Sequence, residues 1–275
     1  MQPARTYAEF SRGQSAAARA RTVARDAAVC LFSFVRSGAR RSGEIRFPYY
    51  HHVFDDERLG FARQLQWMRR HGEFIGFEDA VALLASGQPI GGRYFCVSFD
   101  DGFKSCVENA LPILTEHGAT AAFFLPTRYV GTDIARDRDL LLHFYAGQKT
   151  LMEFMNWNDC HRLADAGMTI GSHTHGHAVL ASLDAAAVTA ELTRSKETIE
   201  RELGRPCRHF CCPFGIPKTA FLPERDPDLA RKGGYASFAT GVRGAMRRGD
   251  SPFFLRRDHI LANWSVRQLH YFLFG

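Results

Sequence analysis

The chain has 275 residues, 45% of them hydrophobic and 23% charged, an ordinary globular composition and enough length to bury one large α/β core. Its net charge of +6 gathers in arginine patches (Arg19, Arg21 and Arg25; Arg36, Arg40 and Arg41; Arg243, Arg247 and Arg248) with no nucleic-acid motif behind them, so nucleic acid is not an expected partner. No 18-residue apolar segment is present to span a membrane. The seven cysteines, odd in number and without a Cys-x-x-Cys pair, exclude a disulfide framework and point to a reducing, cytoplasmic compartment.

Residues 1–42 read as a helical or partly disordered extension of a domain covering 43–275. Within the extension, Ala27–Val35 has the length of a signal h-region, but it follows Asp26 and lacks a small-x-small cleavage site. The expectation is an amphipathic helix packed on the domain, a partner or a membrane surface. The basic patches allow the same peripheral membrane contact, an anionic glycan or nucleotide-linked sugar, or plain solvated surface charge.

The first strand is expected over Ile45–Val53, followed by a helix over Asp56–His71 closed by Gly72. A short strand over Phe74–Phe77 and a helix over Glu78–Ala85 precede the strand Tyr94–Phe99. A helix over Phe103–His117 ends at Gly118, and the strand Thr120–Leu125 is stopped by Pro126. Residues 128–155 are less regular and are expected as a surface excursion. A helix over Asn156–Ala166 takes Gly167 as its C-cap. The strand Met168–Ser172, a long helix from Asp184 to Leu203, and the strand Arg208–Cys212 follow. Strands over Ala236–Thr240 and Phe254–Ile260 and a closing helix over Ser265–Phe272 complete the chain. Strands alternating with helices predict a mainly parallel sheet or barrel. Such folds keep their chemistry at the C-terminal ends of the strands, where three polar clusters fall.

The first cluster is Ser98-Phe99-Asp100-Asp101-Gly102. Strand alternation would send the two carboxylates to opposite faces, so both reach one site only through a local twist. Unpaired carboxylates are costly to bury. The doublet therefore reads as a metal or acid/base site, or, for one Asp, as the N-cap of the next helix. The second cluster is His173-Thr174-His175-Gly176-His177. Histidines at this spacing beside a strand end suit a divalent ion, and two of them with one carboxylate leave coordination positions open. A structural zinc completed by Cys211 or Cys212 is the other reading. The third cluster is Phe210-Cys211-Cys212-Pro213-Phe214-Gly215.

Taken together, these motifs resemble those of the polysaccharide deacetylase family, the NodB-homology domains of carbohydrate esterase family 4, over residues 45–270. Phe99-Asp100-Asp101-Gly102 matches the family's Thr/Ser-Phe-Asp-Asp-Gly, and His173 with His177 its His-Ser/Thr-x-x-His. Phe210–Gly215 matches Phe-x-x-Pro-Phe/Tyr-Gly, and Tyr50-His51-His52-Val53 and Leu111-Pro112-Ile113-Leu114 are also similar. The resemblance implies a distorted (β/α) barrel with an N-terminal helical extension. It implies a hydrolase that removes N-acetyl groups from amino-sugar units of a polysaccharide or glycan precursor, with a divalent metal, zinc first.

By the same resemblance Asp101, His173 and His177 hold the metal and Asp100 is the general base. The Phe214 N–H serves the oxyanion, and Pro213, Phe214 and Gly215 touch substrate. A metal lowers the pKa of water and polarises the carbonyl, a carboxylate takes the proton, and N–H groups hold the developing charge. Two positions depart from the pattern. Cys211 stands where the family often carries an arginine, and Arg257 is expected to take over that role. The Leu-x-His motif of the general acid is not visible, and His259 is the nearest candidate. His175 is expected to support its loop, and His51 and His52 either line the cleft or, the reading put first, sit at a strand end. The competing readings are an O-acetyl esterase, a small-molecule amide deacylase, and a non-catalytic carbohydrate-binding barrel. The oligomeric state is open.

Overall fold

The computed structural model describes residues 2–12, 17, 20, 21, 24, 29, 43–145 and 150–274. The helix expected over Ala27–Val35 lies outside the described residues except for Val29, which is buried. In chain order the regular elements are α1 (Tyr7–Arg12), β1 (Glu44–Arg46), β2 (Pro48–Tyr50), α2 (Arg58–His71), β3 (Glu73–Phe74), α3 (Phe77–Ser86), β4 (Arg93–Phe95), β5 (Val97–Phe99), α4 (Leu111–Glu116) and β6 (Ala121–Leu125). They continue with α5 (Arg138–Phe144), α6 (Trp157–Asp165), β7 (Thr169–Ser172), α7 (Ala185–Leu203), β8 (His209–Cys211), α8 (Asp226–Lys232), β9 (Ser237–Ala239), β10 (Asp258–His259) and α9 (Val266–Phe274).

The main sheet has seven strands in the order β10-β2-β5-β6-β7-β8-β9, every neighbouring pair parallel. Leu255 bridges to Ala239 of β9, while Asp258 and His259 pair with β2. The segment between them thus touches both edges of the sheet, and the sheet curls into the distorted (β/α) barrel that the family resemblance implies, the strand–helix alternation alone having left a parallel sheet or a barrel open.

Alternation along the strands sorts the core. In β6, Ala121, Phe123 and Leu125 join the larger cluster under the helices, while Ala122 and Phe124 join the smaller cluster with Cys96, Cys211, Ala239 and Leu255. The longest helix, α7, buries Val188, Leu192, Ser195, Ile199 and Leu203, a stripe at helical spacing. Asp184 caps its start by accepting from the Ala187 N–H, and Gly204 closes it in the left-handed region.

Several expectations change, and the strand over Tyr94–Phe99 is one of them, dividing into β4 and β5 of different sheets. The strand over Ile45–Val53 divides between two sheets: β1 pairs with β4 in a small sheet of order β1-β4-β3, and β2 joins the main one. Pro48, which has no N–H to give a ladder, stands at the change. Phe77 is not in a strand. It opens α3, with Glu78 and Asp79 in the first turn, and packs on Phe47, Phe124 and His209. The helix expected over Phe103–His117 widens to a π turn at Cys106–Ala110 before α4. Pro112 would clash with the carbonyl four residues back in a regular helix, and the wider turn removes that conflict.

Finally, 128–155 is more than a surface excursion. Tyr129, Leu141, Leu151, Met152 and Phe154 are buried and make a third core with Phe54 and Phe103. The arginines of the last basic patch are engaged: Arg247 pairs with Glu44 at 3.0 Å, Arg248 donates to the Gly87 carbonyl, and Arg243 donates to the His259 carbonyl.

Candidate active site

The site forms where β5, β7 and β8 end. Cys96, Ser98 and Asp100 follow strand alternation to the barrel interior. Asp101 would then point the other way, but its backbone lies in the left-handed region at φ 71°, followed by Gly102 at 66°. That twist turns the second carboxylate toward the same site. Thr174 (66°), His177 (58°) and Phe214 (61°) share this uncommon conformation. Gly215 (63°) needs to be glycine on a second ground, since a Cβ there would meet the Gly241 N at 2.1 Å. Strained backbone thus concentrates on the three turns that carry the polar clusters.

Asp101 is 4% exposed, and its Oδ1 lies 3.4 Å from His173 Nε2 and 3.2 Å from His177 Nε2. His173 Nδ1 is 2.8 Å from the Cys211 carbonyl, which can only accept, so Nδ1 carries the proton. In a neutral ring Nε2 then presents a lone pair to the carboxylate. Asp101 Oδ1 is buried without a hydrogen-bond partner. Acceptors converging on one point in a buried place call for a cation between them, and this donor set suits a divalent ion.

Asp100 sits beside it, 3% exposed, gripped by Arg257. The guanidinium donates from Nη1 to Oδ1 at 2.8 Å and from Nη2 to Oδ2 at 2.7 Å. Its Nε donates to the Thr240 carbonyl at 3.0 Å, Nη2 meets Cys211 Sγ at 2.8 Å, and its carbon lies 4.1 Å over the Tyr49 ring. Burial raises the Asp100 pKa and Arg257 more than offsets it, so the group stays below its ordinary value. The neighbouring Arg256 faces away and pairs with Asp250.

A cavity of about 400 Å³ opens over these groups. It is lined by Asp100, Asp101, His173, His177, Phe214, Arg257 and His259, all expected from the sequence. Pro213 and Gly215 flank Phe214 on its turn, while His175 is turned to Thr127, its Nδ1 2.9 Å from the hydroxyl. Several lining residues carry no motif. His51 Nδ1 is 3.1 Å from His259 Nε2, and its Nε2 is 3.9 Å from Asp101 Oδ2, so His51 stands between His259 and the carboxylate. Tyr145 contacts His52 Nε2 at 3.0 Å, and His52 stacks on Phe54 and Phe103. Burial pushes the His52 pKa down to about 3, so it is a neutral wall. Phe144 stacks on His177 at 4.6 Å between ring centres. His51 and His52, within the matched stretch Tyr50-His51-His52-Val53 and expected first as strand-end residues, both line the cavity.

The profile of the polysaccharide deacetylases matches residues 88–226, half of the chain. The chain belongs to the polysaccharide deacetylase family. A chitin deacetylase from Pestalotiopsis sp is 31% identical over 120 residues, covering 44% of this chain and 34% of that protein. YxkH of Bacillus subtilis (strain 168), assigned by name to the polysaccharide deacetylases, is 22% identical over 73% of this chain and 63% of its own length. The chain thus spans under two thirds of either curated relative. Among solved structures, IcaB from Ammonifex degensii superposes with a TM-score of 0.70 at 22% identity, covering 86% of this chain and 99% of that one. The Streptococcus pyogenes deacetylase PplD superposes with a TM-score of 0.66 at 20% identity, over 86% of this chain and 99% of its own. At these identities the two structures establish that the polysaccharide deacetylase barrel is the shared fold.

Proposed function

We propose that this polysaccharide deacetylase is a metal-dependent hydrolase that removes N-acetyl groups from amino-sugar units of a glycan or glycan precursor. The observation that carries this reading is the buried, unpartnered Asp101 Oδ1 facing the Nε2 atoms of His173 and His177. Those three residues would hold a divalent ion, zinc being the ion their chemistry fits first. Such an ion supplies Lewis acidity and an acidified water.

The chain's own residues do the rest. Asp100 accepts the proton of the attacking water, and Arg257 is the positioning residue that fixes the carboxylate by its two-pronged grip. The Phe214 N–H, on a turn of left-handed backbone, serves the developing oxyanion. The proton for the leaving nitrogen comes from His51, the nearer of the His51–His259 pair to Asp101, and His259 sets its orientation. Phe214 forms part of the side that substrate touches, while Pro213 and Gly215, expected there as well, lie outside the cavity lining and shape its turn.

The test is Asp100→Asn, assayed by acetate release from N-acetylglucosamine oligomers. Metal content should match the parent protein while turnover falls by about 10²-fold or more, the scale of a positioned acid/base group. An Asp100→Asn protein with normal turnover would move water activation to another residue.

A further inference from the structure

One wall of the cavity comes from outside the matched region. Residues 3–12 are tied along its side: the Ala4 N–H donates to Leu151 O at 3.0 Å, the Asp55 N–H to Arg5 O at 3.0 Å, and the Tyr7 N–H to Asp56 Oδ1 at 2.9 Å. The Arg5 side chain reaches Asp55 at 3.3 Å and Glu108 at 3.1 Å. These ties bring Tyr7 and Phe10 of α1 into the same lining as Asp100, Asp101, His173 and His177. The Phe10 ring packs on His52, Phe54 and Tyr145 with centroid distances of 5.3, 5.4 and 5.6 Å. Phe214, 58% exposed, packs on His177 at 4.9 Å, and Ile216 beside it is 55% exposed.

The open space over the site is small, lined largely by aromatic rings and poor in Lys and Arg. Its volume of about 400 Å³ falls near the lower end of the range for pockets that hold one small ligand, roughly 300–1,000 Å³. Among the described residues that line it, Arg257 is the one Lys or Arg, and its guanidinium is committed to Asp100, Ser98 and Thr240. Among the described residues a phosphate or uronate finds no uncommitted Lys or Arg there, whereas the apolar faces of a neutral sugar find rings. A long glycan bound at an internal unit must leave the site on two sides, and Tyr7 and Phe10 of α1 make one wall of the cavity.

We propose that α1 makes this a closed-ended pocket for one neutral N-acylated amino-sugar unit, either a lone sugar or the terminal unit of a chain, and that Phe10 is a specificity-determining residue. The proposal rests on the deacetylase reading above and goes further, to which unit is attacked.

The test uses the full-length, metal-loaded protein with N-acetylglucosamine oligomers of one, two and six units, products being mapped by mass spectrometry. The hexamer should lose a single acetyl group, from one end. Phe10→Ala removes a ring of the wall, and Arg5→Ala loosens the exposed tie without touching the lining. Each should raise internal relative to terminal deacetylation by about fivefold, the scale of one lost ring contact. A parent protein that strips several internal acetyl groups, or a product pattern left unchanged in both variants, would overturn the proposal while the deacetylase reading stands. Acetate release from none of the oligomers would instead remove that reading, and the proposal with it.

Discussion

At the scale of residues, the decisive pair is Asp100 and Arg257. Arg257 is 1% exposed, and burial alone would disfavour its charge; the Asp100 carboxylate and the Cys211 contact keep it charged. Cys211 occupies the position where the family motif often has an arginine, and its small thiol leaves room for a guanidinium arriving from the far side of the barrel. Arg257→Lys keeps the charge but cannot reproduce the two-pronged grip. We expect it to retain metal and to lose turnover by about tenfold or more, as a misoriented base would. Arg257→Ala leaves a buried carboxylate unpaired and should cost about 3–5 kcal/mol of stability, read by urea unfolding. A fully active Arg257→Lys protein would show that the grip is structural alone. The Asp doublet and the histidines were legible from residue type and spacing, because each combination is chemically unusual at a strand end. Alternation sends Arg256 and Arg257 to opposite faces, and the family resemblance was needed to choose Arg257 between them. Tyr145, Phe144, Tyr7 and Phe10 were not, because they reach the cavity by long-range packing that leaves no local pattern.

At the scale of elements, α3 shows how packing overrides local pattern. Phe77 has the look of a strand residue in Phe74–Phe77, yet it opens a helix and packs among Phe47, Phe124 and His209. Phe77→Ala should therefore destabilise the barrel by about 3–5 kcal/mol, the cost of emptying an aromatic site in a core. Thermal melting checks it, and a shift no larger than that of a surface substitution would mean that α3 is dispensable to the core. The divided strands have the same origin. Tyr94–Phe99 is one apolar run in sequence, but β4 and β5 belong to different sheets, and apolar character alone carries no sheet address. The π turn ahead of Pro112 was hidden for another reason: the proline was read as part of a helix whose widening answers it.

At the scale of the whole molecule, strand–helix alternation was enough to read a parallel sheet or barrel and the family motifs to choose the barrel, while the third core around residues 128–155 and the wall supplied by α1 depend on contacts far apart in sequence. Stability should also depend on pH in a defined direction. Burial lowers the pKa of His52 and of His259 to about 3, and lowers that of His209 as well. In the unfolded chain these groups take up protons below about 6.5. Their folded pKa values are depressed, so the stability they contribute is present above that pH and is lost as pH falls toward 3. Glu57, raised by burial to about 7, acts in the opposite sense, gaining stability as pH falls from 7 toward its unfolded value. The histidines outnumber it, so unfolding free energy of the metal-stripped protein should drop between pH 6.5 and pH 4.5 by about 1.4 kcal/mol per pH unit for each net excluded proton. A flat profile from urea unfolding across that window would mean that the histidines are not held neutral.

The metal centre is the hinge of the account, and one measurement bears on it most directly: acetate release from N-acetylglucosamine oligomers by the parent protein before chelation, after verified metal removal, and after zinc is restored. Asp101, His173 and His177 as the holders of a working ion predict release that disappears with the metal and returns with it. Release that continues undiminished in metal-free protein would contradict it.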